Sequence, residues 1–164
     1  MKPLTVLVAE DDLLTRMVLE RSVVQWGYQL VSAVDGDRAL EVLRSRSVDV
    51  CVLDWDMPGV TGVDICRWLR TNSTAATPYI VLVTSRDKPA EIQTGYEAGA
   101  DDYLTKPCDL KYLRRRIATV AEKTRRQEQW LEQANSESTE RTGIAGLSPL
   151  DIYLSDLRLM RRKT

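Results

Sequence analysis

The chain has 164 residues, of which 43% are hydrophobic and 29% charged, and its formal net charge is −1. That length suits one ordinary domain with an extension, and the near-neutral balance gives no global pull toward nucleic acid or anionic membrane. No apolar run approaches the roughly 18 residues of a membrane span. Met1-Lys2-Pro3 leads straight into an apolar stretch rather than a signal peptide. Cys51, Cys66 and Cys108 lack metal-ligand spacing and suit a reducing compartment, so the expectation is a cytoplasmic protein.

The charge is uneven. Residues 1–108 carry 11 basic and 16 acidic side chains, whereas residues 109–164 carry 12 and 8. This is the pattern of an acidic functional domain followed by a basic tail. Leu4 to Ala9 reads as an apolar strand ending in Glu10-Asp11-Asp12. Leu13, Leu14, Met17, Val18, Val23 and Val24 then recur at helical spacing up to Trp26, and Gly27 suits a left-handed cap. Tyr28 to Val34 is a second strand, and Asp35-Gly36-Asp37 turns into a helix carrying Ala39, Leu40, Val42 and Leu43. Val50 to Leu53 is a third strand, stopped by Asp54 and followed by the turn residues Pro58, Gly59 and Gly62. Asp64 to Arg70 is a helix with Ile65, Trp68 and Leu69 inward, and Asn72 to Pro78 a polar loop. Tyr79 to Val83 is a fourth strand ending in Thr84-Ser85, and Pro89 to Ala98 a helix stopped by Gly99. Asp101 to Leu104 is a short fifth strand, Thr105-Lys106-Pro107 follow, and a long helix starts at Asp109. Strands alternating with helices in this way predict an α/β domain, a parallel sheet with helices on both faces.

In a parallel sheet the carboxyl ends of the strands share one rim, where open α/β folds place their chemistry. Those ends deliver Glu10 and Asp11, Asp54, Thr84 and Lys106. Carboxylates crowded there repel unless a cation neutralises them. Hard oxygen ligands with open positions suit Mg²⁺, and a lysine and a hydroxyl beside it complete a cradle for a phosphoryl group. There is no phosphate-binding loop and no histidine at all. The nucleophile is therefore expected to be a carboxylate and the product an acyl phosphate.

The acidic pair Glu10-Asp11 has Arg16 five places later, and Asp54 is followed by Met57-Pro58 and Gly62. Thr84-Ser85 comes next, and then Ala98-Gly99-Ala100-Asp101-Asp102-Tyr103-Leu104 with Lys106-Pro107. Thr84 lies 30 residues and Lys106 52 residues after Asp54. With this set in order, residues 4–122 resemble the receiver domain of two-component response regulators. The resemblance implies a flavodoxin-like doubly wound sheet of order 2-1-3-4-5. It implies that Asp54 accepts a phosphoryl group from a phosphohistidine on a sensor histidine kinase or a histidine phosphotransfer protein. Asp11, Asp54 and the backbone carbonyl of Asp56 would ligate Mg²⁺, with Glu10 acting through a metal-bound water. Lys106 would pair with Asp54 and then with the phosphoryl group. Thr84 would donate its hydroxyl to that group, and Tyr103 would follow into the vacated space. Lys106-Pro107 would be a cis peptide. The chain would be a signalling domain and an enzyme only in its self-phosphotransfer and slow autodephosphorylation.

Other residues have readings of their own. Asp12 is expected to cap the first helix. Asp56 and Arg86 flank the path of an attacking water and would tune dephosphorylation, as a pair across the site mouth or as solvated rim charges. Trp55 faces a partner or lids the site. Cys108 stands where the family usually has a bulky aromatic, and reads as a small apolar filler.

The remainder divides as a helical linker over 123–136 and a joint with a short helix over 137–164. Leu110, Leu113, Ile117, Val120, Thr124, Gln127, Leu131 and Ala134 keep a 3-4 spacing, read as a parallel coiled coil pairing two receivers into a homodimer. A helix from Asp109 to Asn135 would be roughly 40 Å long. Arg114-Arg115-Arg116 and Arg125-Arg126 are read as solvated charge rather than nucleic-acid contacts. Asn135 to Gly146 is polar with two glycines, the composition of a break. Ser148-Pro149-Leu150-Asp151 starts an amphipathic helix with Tyr153, Leu154, Leu157 and Met160 on its apolar stripe.

No effector domain is visible, although the linker is similar to those that precede diguanylate cyclase domains. Either the chain is a fragment of a longer regulator or it works by protein contact alone. The rivals are a phosphorylation-independent adaptor and a Mg²⁺-dependent phosphatase, which would need a second acid–base group and a substrate cap.

Overall fold

The computed structural model describes residues 3–72 and 77–142, the side chains of 136–142 excepted. Five strands, β1 (Thr5–Ala9), β2 (Gln29–Ala33), β3 (Val50–Leu53), β4 (Tyr79–Thr84) and β5 (Asp102–Thr105), alternate with helices. These are α1 (Leu13–Gln25), α2 (Gly36–Ser45), α3 (Gly62–Asn72), α4 (Pro89–Glu97) and α5 (Leu110–Thr142). Every strand pairing is parallel and the order is β2-β1-β3-β4-β5, the expected doubly wound flavodoxin-like sheet.

The strands are apolar on both faces because both faces are covered. On one side Leu7, Ala9, Cys51, Leu53, Ile80 and Leu82 pack against Ala39 and Leu40 of α2 and Val63, Ile65, Cys66 and Leu69 of α3. On the other, Val6, Val8, Val50, Val52, Val81 and Val83 pack against Leu19 and Val23 of α1 and Leu113 and Ile117 of α5. Alternate residues of one strand thus enter different cores.

Asp12 caps α1 by accepting from the Thr15 amide at 2.8 Å, and Gly27 follows the helix at a φ of 86°. The apolar residues of α1 do not all face inward. Leu19, Ser22 and Val23 are buried, while Leu13, Leu14, Met17, Val18 and Val24 are each more than half exposed, Leu14 at 73%. In α1 apolar and polar residues are interspersed all round, so its own sequence marks no preferred face and the sheet selects one.

The chain divides into two units, Met1–Ala121 and Glu122–Thr164. Leu113 and Ile117, two of the eight seam positions read as a coiled coil, are fully buried in the core of the first unit. Exposing either would cost about 1.5–3 kcal/mol, so those two positions are spent within the first unit. In the second unit Trp130 and Leu131 are exposed, Trp130 at 67%. Among the described residues the helix runs on to Thr142, past Asn135, where the break is expected to begin. Most of the polar loop at 72–78 and the amphipathic segment 148–162 lie outside the described residues. Among those described, no helix is long and apolar enough to cross a membrane.

A buried carboxylate ties the edge of the sheet to α5. Asp102 Oδ2 accepts from Tyr79 Oη at 2.6 Å and Oδ1 from Tyr112 Oη at 3.1 Å, and Arg116 Nε lies 2.9 Å from Oδ2. Removing this acceptor leaves the two hydroxyls and the guanidinium to find others. Asp102→Ala is expected to lower the unfolding free energy by about 1–3 kcal/mol, measured by urea denaturation.

Candidate functional site

Glu10, Asp54 and Lys106 are the first residues past the ends of β1, β3 and β5, and the sheet still holds their main chains. The Glu10 amide donates to the Ala33 carbonyl at 3.2 Å, the Asp54 amide to Ala9 at 2.8 Å and the Lys106 amide to Thr84 at 2.8 Å. Each backbone continues its ladder for one more residue while the side chain is delivered to the rim. Arg16 adds a brace of its own, its Nη1 donating to the Glu10 carbonyl at 2.8 Å and to the Asp11 carbonyl at 3.2 Å. Gly62 lets the start of α3 approach the Asp54 main chain, where a Cβ would stand 2.1 Å from the Asp54 carbonyl oxygen.

Glu10, Asp11 and Asp54 offer carboxylate oxygens that lie within 4.8 Å of one another. At an effective dielectric of about 20, two like charges at that separation repel by roughly 3–4 kcal/mol. Lys106 Nζ answers part of this, lying 3.0 Å from Asp54 Oδ2 and 2.8 Å from Glu10 Oε2. Its hydrogen bonds go to Glu10 Oε1 and Asp54 Oδ2, each at 3.0 Å. Glu10 Oε2 is off the line of the N–H groups and, among the described residues, is a buried side-chain oxygen left without a hydrogen bond. Burial pushes the Glu10 carboxyl up, the bond from Lys106 opposes this in part, and the Asp54 charge adds to the rise. Burial alone would pull Lys106 down, but its bonds to Glu10 and Asp54 outweigh it and the net direction is up. Three carboxylates gather around one ammonium, and the buried Glu10 Oε2 keeps no hydrogen bond beyond its ion-pair contact with Lys106. A hard divalent cation with oxygen preference fits this set.

Thr84 is fully buried at the end of β4, and its Oγ1 accepts from the Arg86 amide at 3.3 Å. Tyr103 Oη donates to the Arg86 carbonyl at 2.9 Å, with its ring edge-on to Trp55 at 6.4 Å and beside Tyr96 at 6.3 Å. Arg86 Nε and Nη2 each donate to Asp56 at 2.8 Å. Lys106-Pro107 is cis. Burial pushes the Cys108 thiol up to about 11, so it stays protonated beside the apolar residues it packs with. The spacing marked Arg16 as part of the motif without giving it the bracing role, and gave no part to Glu91, which receives Arg86 Nη1 at 2.7 Å. Both contacts are local, joining a turn after a strand to the helix that follows it five or six residues on.

Residues 6–118 match the model of the response regulator receiver domain. The chain belongs to the response regulator receiver family. It is 40% identical over 122 residues to the response regulator MprA of Mycolicibacterium vanbaalenii, covering 74% of this chain and 52% of that protein. It is 36% identical over 123 residues to the transcriptional regulatory protein AfsQ1 of Streptomyces coelicolor, covering 75% and 53%. The chain thus spans about half the length of the curated relatives it matches. Among solved structures, the receiver domain of the Francisella response regulator 1452 superposes with a TM-score of 0.69 at 29% identity, over 75% of this chain and 99% of that one. A response regulator from Chloroflexus aurantiacus gives 0.68 at 30%, over 73% and 98%. Receiver domains bind Mg²⁺ through an acidic pocket, and this receiver has the acidic cluster on the expected rim.

The Arg86 bond holds the Asp56 carboxyl below the usual carboxylate range. The stability this adds is present above the ordinary Asp pKa of about 4 and is lost as pH falls through the depressed value. In Arg86→Ala the Asp56 carboxyl is expected to titrate at higher pH than in the parent, followed by its side-chain carbon shift in NMR.

Proposed function

We propose that the chain is a phosphoryl-accepting receiver in which Asp54 takes a phosphoryl group from a phosphohistidine protein in a Mg²⁺-dependent reaction. The observation that carries this reading is the buried Asp54 carboxylate, bonded to Lys106 and grouped with Glu10 and Asp11, in a chain of the receiver family. Glu10, Asp11 and Asp54, with the Asp56 carbonyl, would hold the Mg²⁺, which when bound neutralises charge on the phosphoryl oxygens.

The chain's own residues supply the rest. An Asp54 oxygen bonds to phosphorus as the bond from phosphorus to the donor imidazole breaks, and the imidazole leaves with the bond's electron pair. Lys106 orients the carboxylate before transfer and neutralises a phosphoryl oxygen after it. Thr84 donates its hydroxyl proton in a hydrogen bond to the phosphoryl group, while its Oγ1 can go on accepting from the Arg86 amide and so draw that loop inward. Tyr103, bonded to the same residue, follows that loop, a local change with a larger readout. Asp56 and Arg86 then set how long the phosphoryl group lasts. The partner is a sensor histidine kinase or a histidine phosphotransfer protein.

The receiver comprises residues 1–122 and signals through the helix that continues beyond it, as a homodimer. Exposed Trp130 and Leu131 support that assembly. The alternatives are a receiver within a longer regulator, such as one with a diguanylate cyclase output domain, and a phosphorylation-independent adaptor.

Incubation with acetyl phosphate and Mg²⁺ is expected to add one phosphoryl group per chain, seen by intact mass. None is expected in Asp54→Ala or in excess EDTA. Continuous turnover of the donor at a rate independent of Asp54 would favour a phosphatase instead. Light-scattering mass is expected to rise toward a dimer in beryllofluoride and Mg²⁺ relative to Mg²⁺ alone, and the rise is expected to be lost in Asp54→Ala. An unchanged mass with beryllofluoride bound would remove the dimer.

A further inference from the structure

Arg86 joins more of the rim than any other side chain described above. Its guanidinium holds both oxygens of Asp56 and, through Nη1, Glu91 Oε1 in the first turn of α4. Its Cζ stands 5.1 Å from the centroid of the Trp55 ring, so an indole backs the charge. Its amide and carbonyl are bonded to Thr84 and Tyr103. The planar fork of arginine can serve two carboxylates and a ring face at once, which a lysine cannot. Groups sharing a partner in this way are coupled.

We infer that Glu91 is a positioning residue that holds Arg86 on Asp56, over Trp55, as a latch across the mouth of the Asp54 site, and thereby slows hydrolysis of the aspartyl phosphate. This rests on the reading of Asp54 as phosphoacceptor. In the hydrolysis a water oxygen bonds to phosphorus and the bond from phosphorus to the Asp54 oxygen breaks. The carboxylate is restored, inorganic phosphate leaves, and the surplus proton passes to phosphate or solvent. Asp56 is two residues from the reacting carboxylate, and its amide points at Asp54 Oδ1, 3.4 Å away. With both its oxygens on Arg86, Asp56 is poorly placed to orient that water, and the guanidinium stacked on Trp55 covers the approach. Without Glu91 the fork has one anchor fewer and leaves Asp56 more readily. The approach then opens, and a carboxylate able to accept from the attacking water stands beside it.

The latch also ties α4 to the site. The residue that Glu91 restrains carries the main-chain partners of both Thr84 and Tyr103, so the first turn of α4 and the phosphoryl-sensing hydroxyl are two bonds apart through Arg86.

The test uses the full chain loaded with acetyl phosphate and Mg²⁺, freed of donor by gel filtration and followed for loss of the acyl phosphate. Glu91→Gln is expected to lose it at least about twofold faster than the parent, the lower end of coupling between residues that share a partner. In an Arg86→Ala background the same substitution is expected to change nothing further. Glu91→Asp keeps the charge at the start of α4 but withdraws the oxygen from Arg86, and is expected to match Glu91→Gln. Equal lifetimes in Glu91→Gln and the parent overturn the inference, as does an effect of the same size with and without Arg86. A parent-like Glu91→Asp beside a fast Glu91→Gln assigns the effect to charge at the helix N-terminus and also overturns it. Far-UV circular dichroism with a urea midpoint separates these outcomes from loss of fold. If the parent takes up no phosphoryl group at all, the receiver reading itself fails, an outcome distinct from an unchanged lifetime.

Discussion

Carboxylates crowded at the end of a parallel sheet are the constraint on which this structure turns. Glu10, Asp11 and Asp54 come within 4.8 Å of one another, and Lys106 is the ammonium set against Glu10 and Asp54. Such a cluster opposes folding and is tolerated where the surroundings determine it strongly. Here the strand ladders continue through the amides of Glu10, Asp54 and Lys106, and Arg16 grips the carbonyls of Glu10 and Asp11. The incomplete neutralisation also suits the rim to a divalent cation, on whose charge the proposed phosphoryl transfer would rely. Function and strain have the same electrostatic source.

The loops around the cluster are joined by a second set of charges, less buried than the first. Asp56, Arg86 and Glu91 connect the turn after β3, the turn after β4 and the first turn of α4, with Trp55 and Tyr103 packed beside them. An isolated exposed ion pair contributes little to stability. A fork shared by two acids and laid on an indole is better suited to fixing geometry than to adding stability. That distinction fits a site whose surroundings must be ordered yet able to rearrange.

Hydrophobic periodicity was informative to different degrees along the chain. Strands buried on both faces read as continuous apolar runs, so β1, β3 and β4 were legible almost to the residue. α2 and α3 have one apolar face and were legible as well. α1 has apolar residues scattered on every side among polar ones, and its inward side, Leu19 and Val23, is selected by the sheet rather than by its own pattern. In α5 a single 3-4 stripe spans two units, and Leu113 and Ile117 lie in the core of the receiver. A linear pattern states that a face is apolar; it does not state what that face meets.

The sequence by itself determined the fold class, the strand order through its resemblance, and the functional residue types that reach the rim. It could do so because strand runs, turn residues and the spacings of Asp54, Thr84 and Lys106 are local properties of the chain. The tertiary structure alone decided which of these side chains touch. Lys106 bridges Glu10 and Asp54, Arg16 braces the acidic turn, Arg86 reaches both Asp56 and Glu91, and Asp102 gathers Tyr79, Tyr112 and Arg116. Apart from the Arg16 brace and the Arg86–Glu91 pair, which join residues five or six apart, these contacts close mainly between elements farther apart in the chain. They are fixed by the stacking of parallel strands and the helices across them, which no run of neighbouring residues encodes.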